Sequence, residues 1–169
     1  MKRIIRVALF AVAAALVTVQ FFRPAKNIAP TTGDDFIGLY RPPTEVEQTL
    51  RVACYDCHSN QTRYPWYAEV MPLGWWLDDH IVEAKKELNF SEFGSYRIRR
   101  KFRKFEEMAE QVKLEEMPLA SYRAIHFDAS LSAAQKEGFI AWVESMRDTI
   151  RATTPPDSLA RPARPAPGR

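Results

Sequence analysis

Hydrophobic positions recur along much of this chain with the spacing of α-helices. The clearest case is the segment around residues 98–112, where every third or fourth residue is apolar. Helices are also predicted for a short segment that begins at Thr44 and ends before Cys54, for about residues 74–88, and for residues 132–150. The pattern therefore predicts an all-α fold.

Polar residues mark where two of these helices begin. Thr44 suits an N-cap position, and Glu45 and Glu47 follow in the first turn, where the helix dipole favours negative charge. Ser132 and Gln135 have the spacing of a capping box. We therefore expect one helix to start near Thr44 and another at Ser132.

The long central helix is predicted to be amphipathic. Its apolar positions are Ile98, Phe102, Phe105, Met108, Ala109 and Val112. Its other positions form a basic cluster of Arg97, Arg99, Arg100, Lys101, Arg103 and Lys104. Such a cluster is interpreted most simply as a solvated face. The alternative is a docking surface for an acidic redox partner or for anionic lipid headgroups.

The N-terminus combines a basic start with an apolar run. Lys2, Arg3 and Arg6 precede the almost uninterrupted apolar residues 7–22. We expect residues 1–26 to be an uncleaved signal anchor that forms a single transmembrane helix in the inner membrane. Its basic end would lie in the cytoplasm and the rest of the chain in the periplasm. A cleaved signal peptide and a buried core helix are the alternatives.

Two further segments complete the predicted organisation. Residues 27–43 are proline-containing and are interpreted as a linker, and residues 44–150 as the folded domain. Residues 151–169 contain five prolines and four arginines without periodicity, which predicts a disordered tail.

Charge excludes one class of partner. The 169 residues include 24 basic and 21 acidic side chains, a net charge of +3. This balance is too mild and too evenly spread for a nucleic-acid surface, so no nucleic-acid partner is expected.

Both cysteines of the chain lie in one short motif, CYDCHSN, at residues 54–60. Cys54, Cys57 and His58 have the C-x-x-C-H spacing that attaches haem c, with two thioether bonds and an axial imidazole. The first interpretation is therefore one covalently bound haem c, with His58 as an iron ligand.

Two other uses of the cysteines stay open. A redox or disulfide pair is one of them, but a thioredoxin-like redox couple would need a βαβ context, and neither flank of the motif shows a strand pattern. A structural zinc site needs four ligands, and only His80 and His126 remain to complete a set with Cys54 and Cys57, at a spacing unlike that of zinc modules.

The second axial ligand of the iron is predicted to be Met117. Pro118 prevents a preceding helix from continuing, so Met117 is expected on a loop from which it can point inward. Met71, His80 and His126 are alternatives, as is an open site. Met108 and Met146 lie in helical segments, where a thioether more often fills a gap in the core.

Three stretches of sequence resemble a known family. CYDCHSNQTRYPWY, MPLGWWLDDHIVEAKKELNFSEF and EEMPLASYRAIHFDASLS are similar to segments of the bacterial haem-binding domain family of membrane-anchored, single-haem proteins, which are related in layout to class I c-type cytochromes. The similarity runs from about residue 36 to residue 145.

This resemblance implies a fold and a set of site residues. The fold would be a small class I cytochrome c-like helical domain around one covalent haem, in which the terminal helix crosses the first. The haem would be held by Cys54, Cys57 and His58, with Met117 as sixth ligand. We also expect four aromatic residues to line the haem crevice: Trp66, Tyr67, Trp76 and Tyr122.

Three functions are compatible with such a protein. Histidine and methionine ligation would suit a single-electron carrier with an unidentified redox partner protein. A peroxidase-like enzyme would need an open site and His80 or His126 as acid–base group. The third possibility is a haem-based sensor or an accessory haem module of a larger complex. Electron transfer without enzymatic activity is the favoured interpretation.

Overall fold

The computed structural model describes residues 1–160, and secondary structure over that part of the chain is helical. An isolated bridge between Ile28 and Gln61 is the only strand-type pairing within these residues. The all-α prediction is therefore confirmed for the described chain.

The α-helices and 3-10 helices alternate with short connections. The α-helices are α1 Lys2–Val19, α2 Phe36–Tyr40, α3 Thr44–Ala53, α4 Tyr55–His58, α5 Leu73–Glu87, α6 Ile98–Lys113, α7 Ala120–Arg123, α8 Ala133–Thr153 and α9 Pro156–Leu159. The 3-10 helices are Trp66–Glu69, Phe90–Ser95 and Phe127–Ala129.

The helices begin within one residue of the positions predicted from the sequence. The Ser132 hydroxyl accepts a hydrogen bond from the Gln135 amide at 3.3 Å, and the Gln135 side chain accepts one from the Ser132 amide at 2.9 Å. This confirms the predicted capping box. Thr44 is instead the first residue of α3, because Pro43 occupies the N-cap position and its carbonyl accepts from the Glu47 amide.

The core forms where α3, α6 and α8 pack together. The chain places four phenylalanines in it, Phe36, Phe90, Phe93 and Phe105, each no more than 1% exposed. Phe36 lies at the centre of this group, since its ring centroid is 4.8 to 5.7 Å from the ring centroids of the other three. A second, smaller apolar cluster of Tyr67, Leu77 and Ile81 joins α5 to the preceding 3-10 turn.

The structure of the N-terminal helix contradicts the predicted transmembrane anchor. None of the helices within residues 1–160 combines the length and the apolar character needed to cross a membrane. Helix α1 includes Lys2, Arg3 and Arg6 and ends at Val19. Only residues 7–19 are then uncharged helix, roughly 20 Å at about 1.5 Å per residue, against about 30 Å of hydrocarbon.

Residues 20–22 do not extend that helix, although they belong to the apolar run in the sequence. The Gln20 side chain donates to the Met71 carbonyl and accepts from the Met71 amide, each at 3.0 Å. The predicted single-pass anchor in the inner membrane, on which the periplasmic placement of the haem domain depended, is therefore wrong.

The start of the predicted tail is partly helical. Helix α8 continues to Thr153, and α9 follows at Pro156–Leu159. The rest of the predicted tail, residues 161–169, lies outside the described residues.

Candidate functional site

A single helical turn presents the cysteine and histidine motif. The φ of −129° at Cys54 separates α3 from α4, and the Cys54 amide still donates to the Leu50 carbonyl at 3.0 Å. The His58 amide donates to the Cys54 carbonyl at 2.9 Å. Cys54 and His58 project to the same side of this turn, since both line one cavity.

The imidazole of His58 is fixed by the end of α5. Its Nδ1 lies 3.0 Å from the Leu88 carbonyl oxygen and 3.1 Å from that of Ala84. Because carbonyls only accept hydrogen bonds, Nδ1 carries the proton and Nε2 keeps its lone pair. Burial lowers the pKa of His58, and the carbonyl contacts oppose this only in part, so the neutral ring is favoured.

A cavity of about 380 Å³ opens beside this imidazole. It is lined by Ala53, Cys54, His58, Glu87, Leu88, Phe90, Lys104, Glu107, Met108, Gln111, Val112, Met117 and Phe139. Its volume falls within the range of about 300 to 1,000 Å³ that is usual for cofactor and ligand sites. Cys54, His58 and Met117 are thus brought together on one cavity, whereas Cys57 is half-buried and is not among the lining residues.

Both thiols are free and protonated at neutral pH. Burial raises the pKa of Cys54 to about 12, and the neighbouring Cys57 adds to this effect. Burial, aided by Asp56, raises the pKa of Cys57 to about 11. Catalytic redox cysteines have lowered pKa values, so this environment disfavours a redox couple.

A zinc site finds no support either. Over residues 1–160, no group of three or more histidine, cysteine, aspartate or glutamate side chains is placed to hold a metal ion.

Asp56, between the two cysteines, joins the motif to two other segments. It is buried and accepts hydrogen bonds from Arg63 Nε and Nη2, both at 3.1 Å. It also accepts one from the Tyr122 hydroxyl at 2.8 Å. Sequence reasoning missed this carboxylate, because its partners lie 7 and 66 residues away.

Met117 reaches the cavity from the loop that follows α6. The Glu116 and Met117 amides donate to the Gln111 carbonyl at 3.0 and 3.1 Å, which closes the chain back over the end of the helix. Glu115 allows this reversal with a φ of 60°. The loop position agrees with the one predicted from Pro118.

The alternative axial ligands lie away from the cavity lining. Met71 is buried over Gly74, where a Cβ would collide with its thioether. The half-buried His80 faces the Trp76 carbonyl oxygen through Nδ1 at 2.7 Å. His126 Nε2 lies 3.0 Å from the hydroxyl of Tyr67.

The four aromatic residues predicted for the crevice also lie outside the cavity lining. Trp66 is 78% exposed and Trp76 is 42% exposed. Tyr67 is buried in the second apolar cluster, and Tyr122 stacks on His126 with ring centroids 4.2 Å apart.

Lys104 is the clearest correction on α6. The sequence pattern places it on the solvated basic face, yet the residue is only 5% exposed and lines the cavity. Its spacing from Met108 and Val112, one and two turns later, is the signal that identifies this position.

Comparison with known proteins gives one match. A family model described as a haem-binding domain matches residues 14–145 of the chain. No curated protein and no solved structure matches it. The class I cytochrome arrangement predicted from the sequence therefore stays a prediction.

Proposed function

Because the chain belongs to the haem-binding domain family, we propose that this haem-binding protein is a mono-haem c-type cytochrome that transfers single electrons. One haem c would be held per chain through Cys54 and Cys57, with His58 and Met117 as the iron ligands. The observation that carries the proposal is the His58 imidazole, whose Nδ1 is engaged by backbone carbonyls while Nε2 keeps its lone pair beside the cavity.

The residues around the cavity fit a haem. Leu88, Phe90, Val112 and Phe139 supply apolar walls for a large flat cofactor. His58 and Met117 supply an imidazole nitrogen and a thioether sulfur, a donor pair that haem iron takes in cytochromes c. The backbone carbonyls behind His58 orient the ring, as partners behind a metal-binding histidine generally do.

The thiols suit covalent attachment. In forming each thioether, a thiol adds across a vinyl C=C bond, so that a C–S bond forms and the S–H bond breaks. The hydrogen goes to the neighbouring vinyl carbon, and no oxidant or reductant is consumed. Cys54 and Cys57 are both free thiols, as this addition requires.

Electron transfer is favoured over peroxidase-like chemistry. Bound haem supplies a one-electron ferric–ferrous couple, and a histidine–methionine ligand pair leaves no coordination position for a substrate. A peroxidase-like reaction that uses a histidine as its acid–base group would need that histidine in the cavity. His80 and His126, the only other histidines of the chain, point to other partners outside its lining.

The test of covalent binding uses the full chain made in a host that matures c-type cytochromes. We expect haem staining on a denaturing gel and a mass increase of one haem per chain. Cys54→Ser and Cys57→Ser should each lose one thioether, which shifts the α band of the pyridine haemochrome, whereas His80→Ala should match the wild type. A colourless wild-type protein of unmodified mass would contradict the proposal.

Electron transfer has its own measurement. Voltammetry of the matured protein should show one reversible one-electron wave, and the ferrous form should bind carbon monoxide only slowly. Rapid carbon monoxide binding would instead indicate an open site and argue against a dedicated electron carrier.

A further inference from the structure

Lys104 is a cavity residue, although it belongs to a stretch of basic side chains. Its side chain is 7% exposed, whereas that of the preceding Arg103 is 58% exposed. The helical register of α6 places it one turn before Met108 and two turns before Val112, which also line the cavity.

Two glutamates from the rim partly compensate the buried ammonium. Lys104 Nζ lies 2.5 Å from Glu107 Oε2 and 3.5 Å from Glu87 Oε2. The side chain of Glu107 is 39% exposed and that of Glu87 is 82% exposed, so both carboxylates remain in contact with solvent. The ion pair with Glu87 is the weaker one, because its N–O distance is long. Water can also solvate the exposed Glu87 carboxylate in place of the ammonium.

Lys104 is also the one cation among the residues of the described chain that line the cavity. The two glutamates beside it carry the opposite charge, and the Nδ1–H of His58 is already engaged by the carbonyls of Ala84 and Leu88. A ligand that carries a carboxylate into this cavity is therefore repelled by Glu87 and Glu107 and attracted by Lys104 alone.

We propose that Lys104 binds a carboxylate of the cofactor, which in haem is a propionate side chain. This inference rests on the proposed function. The propionate replaces Glu87 at the ammonium, while Glu107 keeps its 2.5 Å contact, since an ammonium offers three donors. This contact then orients the porphyrin so that its propionate-bearing edge faces α6.

The first test uses the matured full-length protein and resonance Raman spectroscopy of the propionate bending bands. Lys104→Gln should keep the haem attached but shift these bands, because the propionate loses its charged partner. Lys104→Arg and Lys113→Gln, an exposed control on the same helix, should keep the wild-type bands. Unchanged bands in Lys104→Gln would overturn the proposal.

The second test separates charge recognition from packing and does not depend on covalent attachment. Full-length protein made without haem is titrated with haemin and with haemin dimethyl ester, which lacks the carboxylates. Lys104→Gln should weaken haemin binding about tenfold and ester binding little. An equal loss for both porphyrins, or no loss, would contradict a carboxylate contact.

These experiments distinguish the two proposals. Absence of covalent haem from the wild-type protein contradicts the proposed cytochrome function, whereas the comparison of haemin with its ester still decides the role of Lys104.

Discussion

The hydroxyl of Tyr122 donates a hydrogen bond of 2.8 Å to Asp56 Oδ2. Asp56 lies between Cys54 and Cys57, and Tyr122 lies five residues after Met117. The bond therefore ties the loop that carries the proposed sixth ligand to the turn that carries the proposed attachment site. Arg63 holds the same carboxylate from a third segment.

Removing this hydroxyl should loosen the Met117 loop. Tyr122→Phe leaves Asp56 bound to Arg63 but frees the loop, so we expect faster carbon monoxide binding by the ferrous protein with unchanged haem content. The free energy of unfolding should fall by about 1 kcal/mol. Tyr40→Phe is the control, because its hydroxyl makes no hydrogen bond within residues 1–160. Identical carbon monoxide kinetics in Tyr122→Phe and the wild type would rule out this role.

The two methionines of the cavity provide a matched pair for the axial ligand. Met117→Leu should abolish the near-infrared charge-transfer band of methionine-ligated ferric haem and open the site to carbon monoxide. Met108→Leu should keep the band, since a volume-conserving change in the core costs less than about 1.5 kcal/mol. Loss of the band in Met108→Leu, with retention in Met117→Leu, would assign the ligand to the helix instead of the loop.

Phe36 should be the most costly aromatic residue to truncate. Its ring contacts Phe90, Phe93 and Phe105. We expect Phe36→Ala to lower the free energy of unfolding by about 3 to 5 kcal/mol in denaturant titrations. Phe127→Ala, at an 80% exposed position, should cost less than about 0.5 kcal/mol. Similar values for the two variants would show that the phenylalanine cluster does not dominate stability.

A mutation in the capping box of α8 should change the stability of the protein without altering the candidate site. Ser132→Ala should lower the free energy of unfolding by about 1 kcal/mol, because the Gln135 amide loses its acceptor. The absorption spectrum of the haem protein should not change, since Ser132 lies outside the cavity lining. Ser145→Ala, in the same helix, is the control. A spectral change in Ser132→Ala would reveal coupling between this helix end and the site.

Local signals predicted the helices well. Apolar spacing identified α5, α6 and α8, and the Ser132 and Gln135 pair located the start of α8. The loop position of Met117 followed from the proline behind it. Each of these features depends on residues that are close in the sequence.

Features that depend on distant contacts could not be predicted in the same way. The carbonyls that orient His58 come from 26 and 30 residues away, and no local pattern marks them. Lys104 was placed among its charged neighbours, because its spacing from Met108 and Val112 marks a helix face and not the cavity that residues of other helices complete. The membrane prediction counted apolar residues across Gln20, whose side chain instead binds the backbone of Met71.

The attachment of His58 to the end of α5 has an electronic consequence. Carbonyl oxygens at the C-terminal end of a helix carry the negative pole of its dipole. A ring that donates its Nδ1 proton toward that pole becomes a stronger σ-donor at Nε2. Such a donor favours the ferric over the ferrous state, so the end of α5 should draw the midpoint potential of the bound haem downward.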